Sequence, residues 1–233
     1  MSTTAKLEKS VRSYLTHKSI EGSALKCTFD TLCQKLPDTV IFGGMLREFG
    51  LGYEKDFTSD IDLVSAGSRQ EIHAAIADFS PTMNNFGGFR FSRSGRSFDI
   101  WSLEDTWAFR KHHVIGHNFN DLLNTTFFKI DSVAFHICRN ELIYSDNFVD
   151  AMDNRVLDTN LEANPNPQKM AHKAIKMAYD KNLTFTLRLG TYVLENADRD
   201  QLDSTSIKFL NCLENHSFKN FGNFKFDPQL SLI

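Results

Sequence analysis

Three aspartates carry the clearest chemical pattern in the chain. In Asp60-Ile61-Asp62-Leu63-Val64 the carboxylates alternate with apolar side chains. Strand geometry of period two puts Asp60 and Asp62 on one face and Ile61 and Leu63 on the other. Two carboxylates side by side can bridge two magnesium ions. Ser97-Phe98-Asp99-Ile100-Trp101 alternates in the same way, so Phe98 and Ile100 enter the core and Asp99 faces a cleft. There it is a candidate third metal ligand and an acceptor for the proton of an attacking hydroxyl. Upstream, Thr39-Val40-Ile41-Phe42 reads as a short buried strand running into Gly43-Gly44 and a helical turn through Met45, Leu46, Arg47 and Glu48. Glycine lets the main chain approach a triphosphate, and a helix beginning at Met45 would aim its positive end at the same anion. Phosphoryl or nucleotidyl transfer from a nucleoside triphosphate needs backbone amides against the phosphates and carboxylates holding divalent metal, and these residues are candidates to supply both. Taken singly, each has a plain structural explanation: Gly-Gly is a turn, and Asp-x-Asp a solvated strand cap. Their order along the chain gives the pattern its weight.

The elements that must position these groups are also legible. Residues 68–79 form a crossover helix, with Ser68 as N-cap and Glu71 completing a capping box. Residues 89–93 and 97–101 flank Ser94-Gly95-Arg96 and predict a hairpin in which Gly95 supplies the turn. Helical spacing occupies residues 5–15 and 29–36, ended by Leu36-Pro37-Asp38, and resumes after Glu104 through Trp107 and Phe109. Short mixed elements fill residues 118–159, and Asn164-Pro165-Asn166-Pro167 leads into a helical portion over 168–214. The expected fold class is α/β (α+β): a mixed twisted sheet flanked by helices, plus a small helical C-terminal region. N-terminal helices occupy 1–38, a head domain 39–160 and a helical region 161–233.

Composition bounds the partners. Lys and Arg number 26 against 29 Asp and Glu, a net charge of -3, so a nucleic acid must meet a local basic patch rather than a global field. The 21 Phe serve cores or pockets. Cys27, Cys33, Cys138 and Cys212 have no paired CxxC spacing and read as reduced thiols, which with the lack of an apolar leader or long apolar run predicts a cytoplasmic protein away from the membrane. His113 and His117 have i, i+4 spacing, but Gly116 between them argues against a helix and against a metal pair. Arg90, Arg93 and Arg96 surround the hairpin tip and are candidates to touch triphosphate or RNA, or simply to keep the tip soluble.

Strand, Gly-Gly, helix, strand with Asp-Ile-Asp, helix, and hairpin with Phe-Asp-Ile resembles the DNA polymerase beta nucleotidyltransferase superfamily. Gly43-Gly44-Met45-Leu46-Arg47-Glu48 is similar to the Gly-Gly-x-x-Arg-Asp segment of CCA-adding enzymes and bacterial poly(A) polymerases. The likeness is specific over residues 41–101 and continues through 130–135, 150–158 and 166–186. It implies a nucleotidyltransferase fold and metal-dependent transfer of a nucleoside monophosphate from an NTP to an acceptor hydroxyl. Asp60, Asp62 and Asp99 would hold Mg2+ in a two-metal site, and Gly43, Gly44 and Arg47 would organise the triphosphate. The acceptor would be an RNA 3' end such as that of tRNA, a protein or a small molecule. Three departures stand out: a longer gap between Gly44 and Asp60, Asn124-Thr125-Thr126 where the family has Arg-Arg-Asp, and His172, Lys173 and Lys176 in place of neck arginines. No segment matches the family's tRNA-binding body and tail, so a head-like protein rather than a complete CCA-adding enzyme is expected. The rival reading is a catalytically silent relative that binds nucleotide or protein in the same cleft. Oligomeric state stays open.

Overall fold

The structure, a computed structural model, describes residues 1–16, 20–220 and 223–226. In chain order the elements are α1 (Thr3–Leu15), α2 (Ile20–Lys35), β1 (Thr39–Phe42), α3 (Gly44–Gly50), β2 (Ile61–Ser65), α4 (Arg69–Ile76), β3 (Thr82–Met83), β4 (Phe89–Arg93), β5 (Arg96–Ser102), α5 (Trp107–Arg110), α6 (Phe119–Leu123), β6 (Val133–His136), β7 (Glu141–Tyr144), α7 (Asp146–Asp153), β8 (Val156–Leu157), α8 (Pro167–Lys181), β9 (Thr184–Phe185), α9 (Leu187–Asn196) and α10 (Ser204–Asn220). The chain divides into two compact units, one of residues 1–126 and 131–149, the other of 127–130 and 150–233.

The first unit is built on a seven-stranded mixed sheet of order β3-β4-β5-β2-β1-β6-β7. Its ladders are antiparallel except for β2 with β5, which run parallel with Asp62 opposite Asp99 and Val64 opposite Trp101. A parallel pair needs a crossover. α4 supplies it, opening with Ser68 accepting from Glu71 N–H while the Glu71 carboxylate accepts from Ser68 N–H, the expected capping box. The β4-β5 hairpin closes on Ser94-Gly95, both at positive φ, a two-residue turn whose twist matches the strands.

Alternation along β2, β4 and β5 decides what each face of the sheet does. Ile61, Leu63, Phe91, Phe98 and Ile100 are buried on one face, where Phe98 stacks on Phe91 at 4.8 Å and meets Phe29 of α2 edge-on at 5.9 Å. Val64 and Trp101 point the other way, into a cluster with Val40, Phe42, Leu103, Leu122, Leu123 and Ala134. Asp62 and Asp99 lie two residues earlier on that second face, register partners of each other. The helices α1 and α2 are longer than the periodicity of 5–15 and 29–36 indicates.

In the second unit, α8, α9 and α10 enclose Phe185, Val193, Phe209 and Leu213, and β8 pairs with β9 in parallel. α8 starts where the Asn164-Pro165-Asn166-Pro167 segment places it: the Asn166 side chain accepts from Lys169 N–H and Pro167 occupies the first turn. The two-residue strand β9 interrupts the helical stretch expected over 168–214. Residues 221–222 and 227–233 of the expected C-terminal region lie outside the described residues. Among the described residues no helix is long and apolar enough to cross a membrane.

Candidate active site

The Gly-Gly turn sits at the end of β1. Gly43 has φ +67°, a backbone shape that disfavours any side chain, and its N–H donates to Val133 O at 3.2 Å while its carbonyl accepts from Arg47 N–H at 3.1 Å. Gly44 begins α3 with ordinary φ, and a Cβ there would meet the Arg47 guanidinium at 3.7 Å, an ordinary contact. Among the described residues, a Cβ on Gly43 would meet nothing within 4 Å. α3 has seven residues, too short for its macrodipole to carry an argument about anions.

Arg47 is buried, 8 % exposed. Its Nη1 donates to Asp131 at 2.5 Å, and Nε and Nη2 donate to Glu48 at 3.2 and 3.1 Å. Burial works against the charge, and the carboxylates of Asp131 and Glu48 outweigh it, holding Arg47 above the usual guanidinium range. The guanidinium thus lies beneath Gly44, tying α3 to the turn before β6. Sequence reasoning had no access to Asp131, 84 residues away.

Strand alternation puts Asp62 and Asp99 side by side on one sheet face. Asp62 and Asp99 are register partners, and Asp60 stands just ahead of β2. Their surroundings contain Arg90, which the sequence offers as a contact for triphosphate or RNA or as a solubilising charge. Arg90 pairs with Asp99 in the β4-β5 register and donates Nε to Asp99 Oδ1 at 2.8 Å and Nη2 to Asp99 Oδ2 at 2.5 Å, while Nη2 also reaches Asp60 Oδ2 at 2.9 Å. Hydrogen bonds to Asp99, its charge, that of Asp60 and a smaller share from Asp62 hold Arg90 above the usual guanidinium range. The three hairpin arginines therefore separate. Arg93 lies over the Phe79 ring at 5.2 Å, and Arg96 donates to Phe57 O at 2.8 Å beside the Tyr14 and Phe57 rings, leaving Arg90 as the hairpin arginine on the carboxylate face. Strand alternation was the available signal, since Arg90 and Arg93 are an odd number of residues apart.

These oxygen donors are hard ligands of the kind magnesium takes, and a cation, the Arg90 guanidinium, is already held by two of them. In donor chemistry, though not in their present spacing, these carboxylates suit a divalent metal, and Arg90 occupies oxygens of two of them. Among the described residues no three His, Cys, Asp or Glu side chains are gathered closely enough to enclose a metal ion as they stand. His113 lies against the Trp107 ring at 4.9 Å, and His117 N–H donates to Asp121. Asn124-Thr125-Thr126 follows α6, where Thr125 and Thr126 hydroxyls donate to the carbonyls of Leu122 and Leu123. In the second unit, His172 Nε2 accepts from Asp198 N–H and Lys173 lies 6.0 Å from the Phe128 ring centre.

No protein-family model and no curated protein matches the sequence. Solved structures do match. A tRNA nucleotidyltransferase complexed with a primer tRNA and an incoming ATP analogue aligns at TM-score 0.60 and 15% identity, over 82% of this chain and 60% of that one. The chain has a nucleotidyltransferase fold. The CCA-adding enzyme of Thermotoga maritima complexed with tRNA aligns at TM-score 0.54 and 14% identity, over 95% of this chain and 58% of that one. That of Bacillus stearothermophilus in complex with CTP aligns at 0.53 and 12%, over 82% and 49%. The fold resembles that of the CCA-adding enzymes, as the order of motifs in the sequence implies. The chain spans between 49% and 60% of the length of these three structures.

Proposed function

We propose that the protein transfers a nucleoside monophosphate from an NTP to an acceptor hydroxyl, releasing pyrophosphate, in a magnesium-dependent reaction. The observation that carries this reading is the row Asp62-Asp99 across parallel strands β2 and β5, with Asp60 beside it and the Gly43-Gly44 turn at the end of neighbouring β1. Magnesium, when bound, supplies charge neutralisation for the triphosphate and the leaving pyrophosphate. Asp60 and Asp62 are assigned to hold it. Asp99 is assigned as third ligand or as acceptor of the proton from the attacking hydroxyl. Gly43 and Gly44 let main chain lie against the phosphates. Arg47 organises the triphosphate indirectly, as a positioning residue that fixes the turn through Asp131 and Glu48.

The acceptor proposed is an RNA 3' end, for which the tRNA-bound neighbours speak; a protein or small-molecule hydroxyl fits the same chemistry. A cytoplasmic setting suits free thiols at Cys27, Cys33, Cys138 and Cys212. A second reading, a silent nucleotide- or protein-binding relative, is favoured by Asn124-Thr125-Thr126 in place of Arg-Arg-Asp and by the guanidinium on Asp99. Incubation with each labelled NTP, magnesium and cellular RNA or protein separates the two. Label incorporated into an acceptor supports the enzyme, whereas nucleotide binding without incorporation or pyrophosphate release supports the silent relative.

A further inference from the structure

We infer that Arg90 is the resident cation of the carboxylate cluster and competes with divalent metal for Asp60 and Asp99, so that metal enters by displacing a guanidinium. This rests on the nucleotidyltransferase reading above.

Three aspartates on one sheet face repel one another unless positive charge is brought among them. Arg90 brings it from the adjacent strand. Both Asp99 oxygens accept from its planar fork, and Asp60 accepts from the same Nη2 that reaches Asp99. The fork satisfies Asp99 in a fixed geometry that a lysine ammonium does not reproduce. The oxygens that would ligate a metal are thereby already engaged.

The contact is also one that can be given up. The Arg90 side chain is 54% exposed, and its strand neighbours Phe89 and Phe91, buried on the opposite face, anchor β4 without it. Rotation of Arg90 into solvent opens no cavity in the core. Arg93 and Arg96 are committed to Phe79 and to the Phe57 carbonyl, so neither takes over when Arg90 leaves. The carboxylate oxygens that Arg90 releases become open to ligation as the metal arrives, and the metal affinity is set by the difference between the two cations.

Calorimetric titration of Mn2+ into wild type, Arg90→Gln and Arg90→Lys tests this without any catalytic readout. With an exposed ion pair as the competitor, Arg90→Gln should bind Mn2+ about fivefold more tightly than wild type. It should also melt at a lower temperature without metal and be raised further by Mn2+. Arg90→Lys, a point charge without the fork, should fall between. Equal or weaker Mn2+ binding by Arg90→Gln, in a wild type that does bind Mn2+, overturns the inference and leaves the nucleotidyltransferase reading standing. Failure of both wild type and Arg90→Gln to bind Mn2+ overturns that reading and the inference with it.

Discussion

Asp62 and Asp99 stand directly opposite each other on parallel strands, and the charge of Asp99 is met from its other side by Arg90, its partner on the antiparallel strand β4. Sequence alternation alone predicts three mutually repelling carboxylates, from which removing one charge stabilises the metal-free protein. The Arg90 pair reverses that sign. Asp99→Asn should melt no higher than wild type without magnesium, respond less to magnesium, and lose turnover by about a hundredfold or more if Asp99 receives the acceptor proton. Melts with and without magnesium, alongside a pyrophosphate assay, check all three. A clearly higher metal-free melting temperature would show that Arg90 does not neutralise the cluster.

The two glycines should separate backbone strain from ligand contact. Gly43→Ala forces a side chain onto φ +67° and should cost about 1–3 kcal/mol of stability. Gly44→Ala, with ordinary φ and only the Arg47 guanidinium nearby, should fold as wild type. Gly44→Val should weaken NTP binding more than it weakens folding, measured by nucleotide titration and thermal melts on one preparation. Unchanged NTP affinity in folded Gly44→Val would count against main chain lying on the phosphates.

Arg47 is a stability determinant through a pair that spans most of the first unit. Arg47→Leu strands the little-exposed Asp131 carboxylate and should cost about 3 kcal/mol in urea unfolding. The double change Arg47→Leu with Asp131→Leu should cost less than the sum of the single ones, because the second removes a charge the first left unpaired. Strict additivity would mean that the two side chains do not interact.

Much of the candidate site's arrangement was legible because it is written in local patterns. Asp-Ile-Asp and Phe-Asp-Ile alternate with period two, Gly43-Gly44 interrupts a buried strand, and Ser68 with Glu71 marks the helix start, so β1, β2, α4 and the β4-β5 hairpin follow from the sequence. The partners were less legible. Arg90 meets Asp99 only because the Ser94-Gly95 turn fixes the β4-β5 register, and Arg47 meets Asp131 across 84 residues of chain, which no local spacing encodes. β6, Val133–His136, is buried along its whole length, so it lacks the alternation that reveals a half-exposed strand. β3 has two exposed residues and owes its existence to pairing with β4.

The central claim is that Asp60 and Asp62 form one magnesium-holding unit that drives nucleotidyl transfer. Magnesium-dependent pyrophosphate release from NTP, in the presence of cellular RNA or protein, should be seen for wild type and abolished in Asp60→Ala, in Asp62→Ala and, to no greater extent, in the double variant, all with wild-type circular dichroism. Near wild-type turnover of folded Asp60→Ala or Asp62→Ala would contradict it.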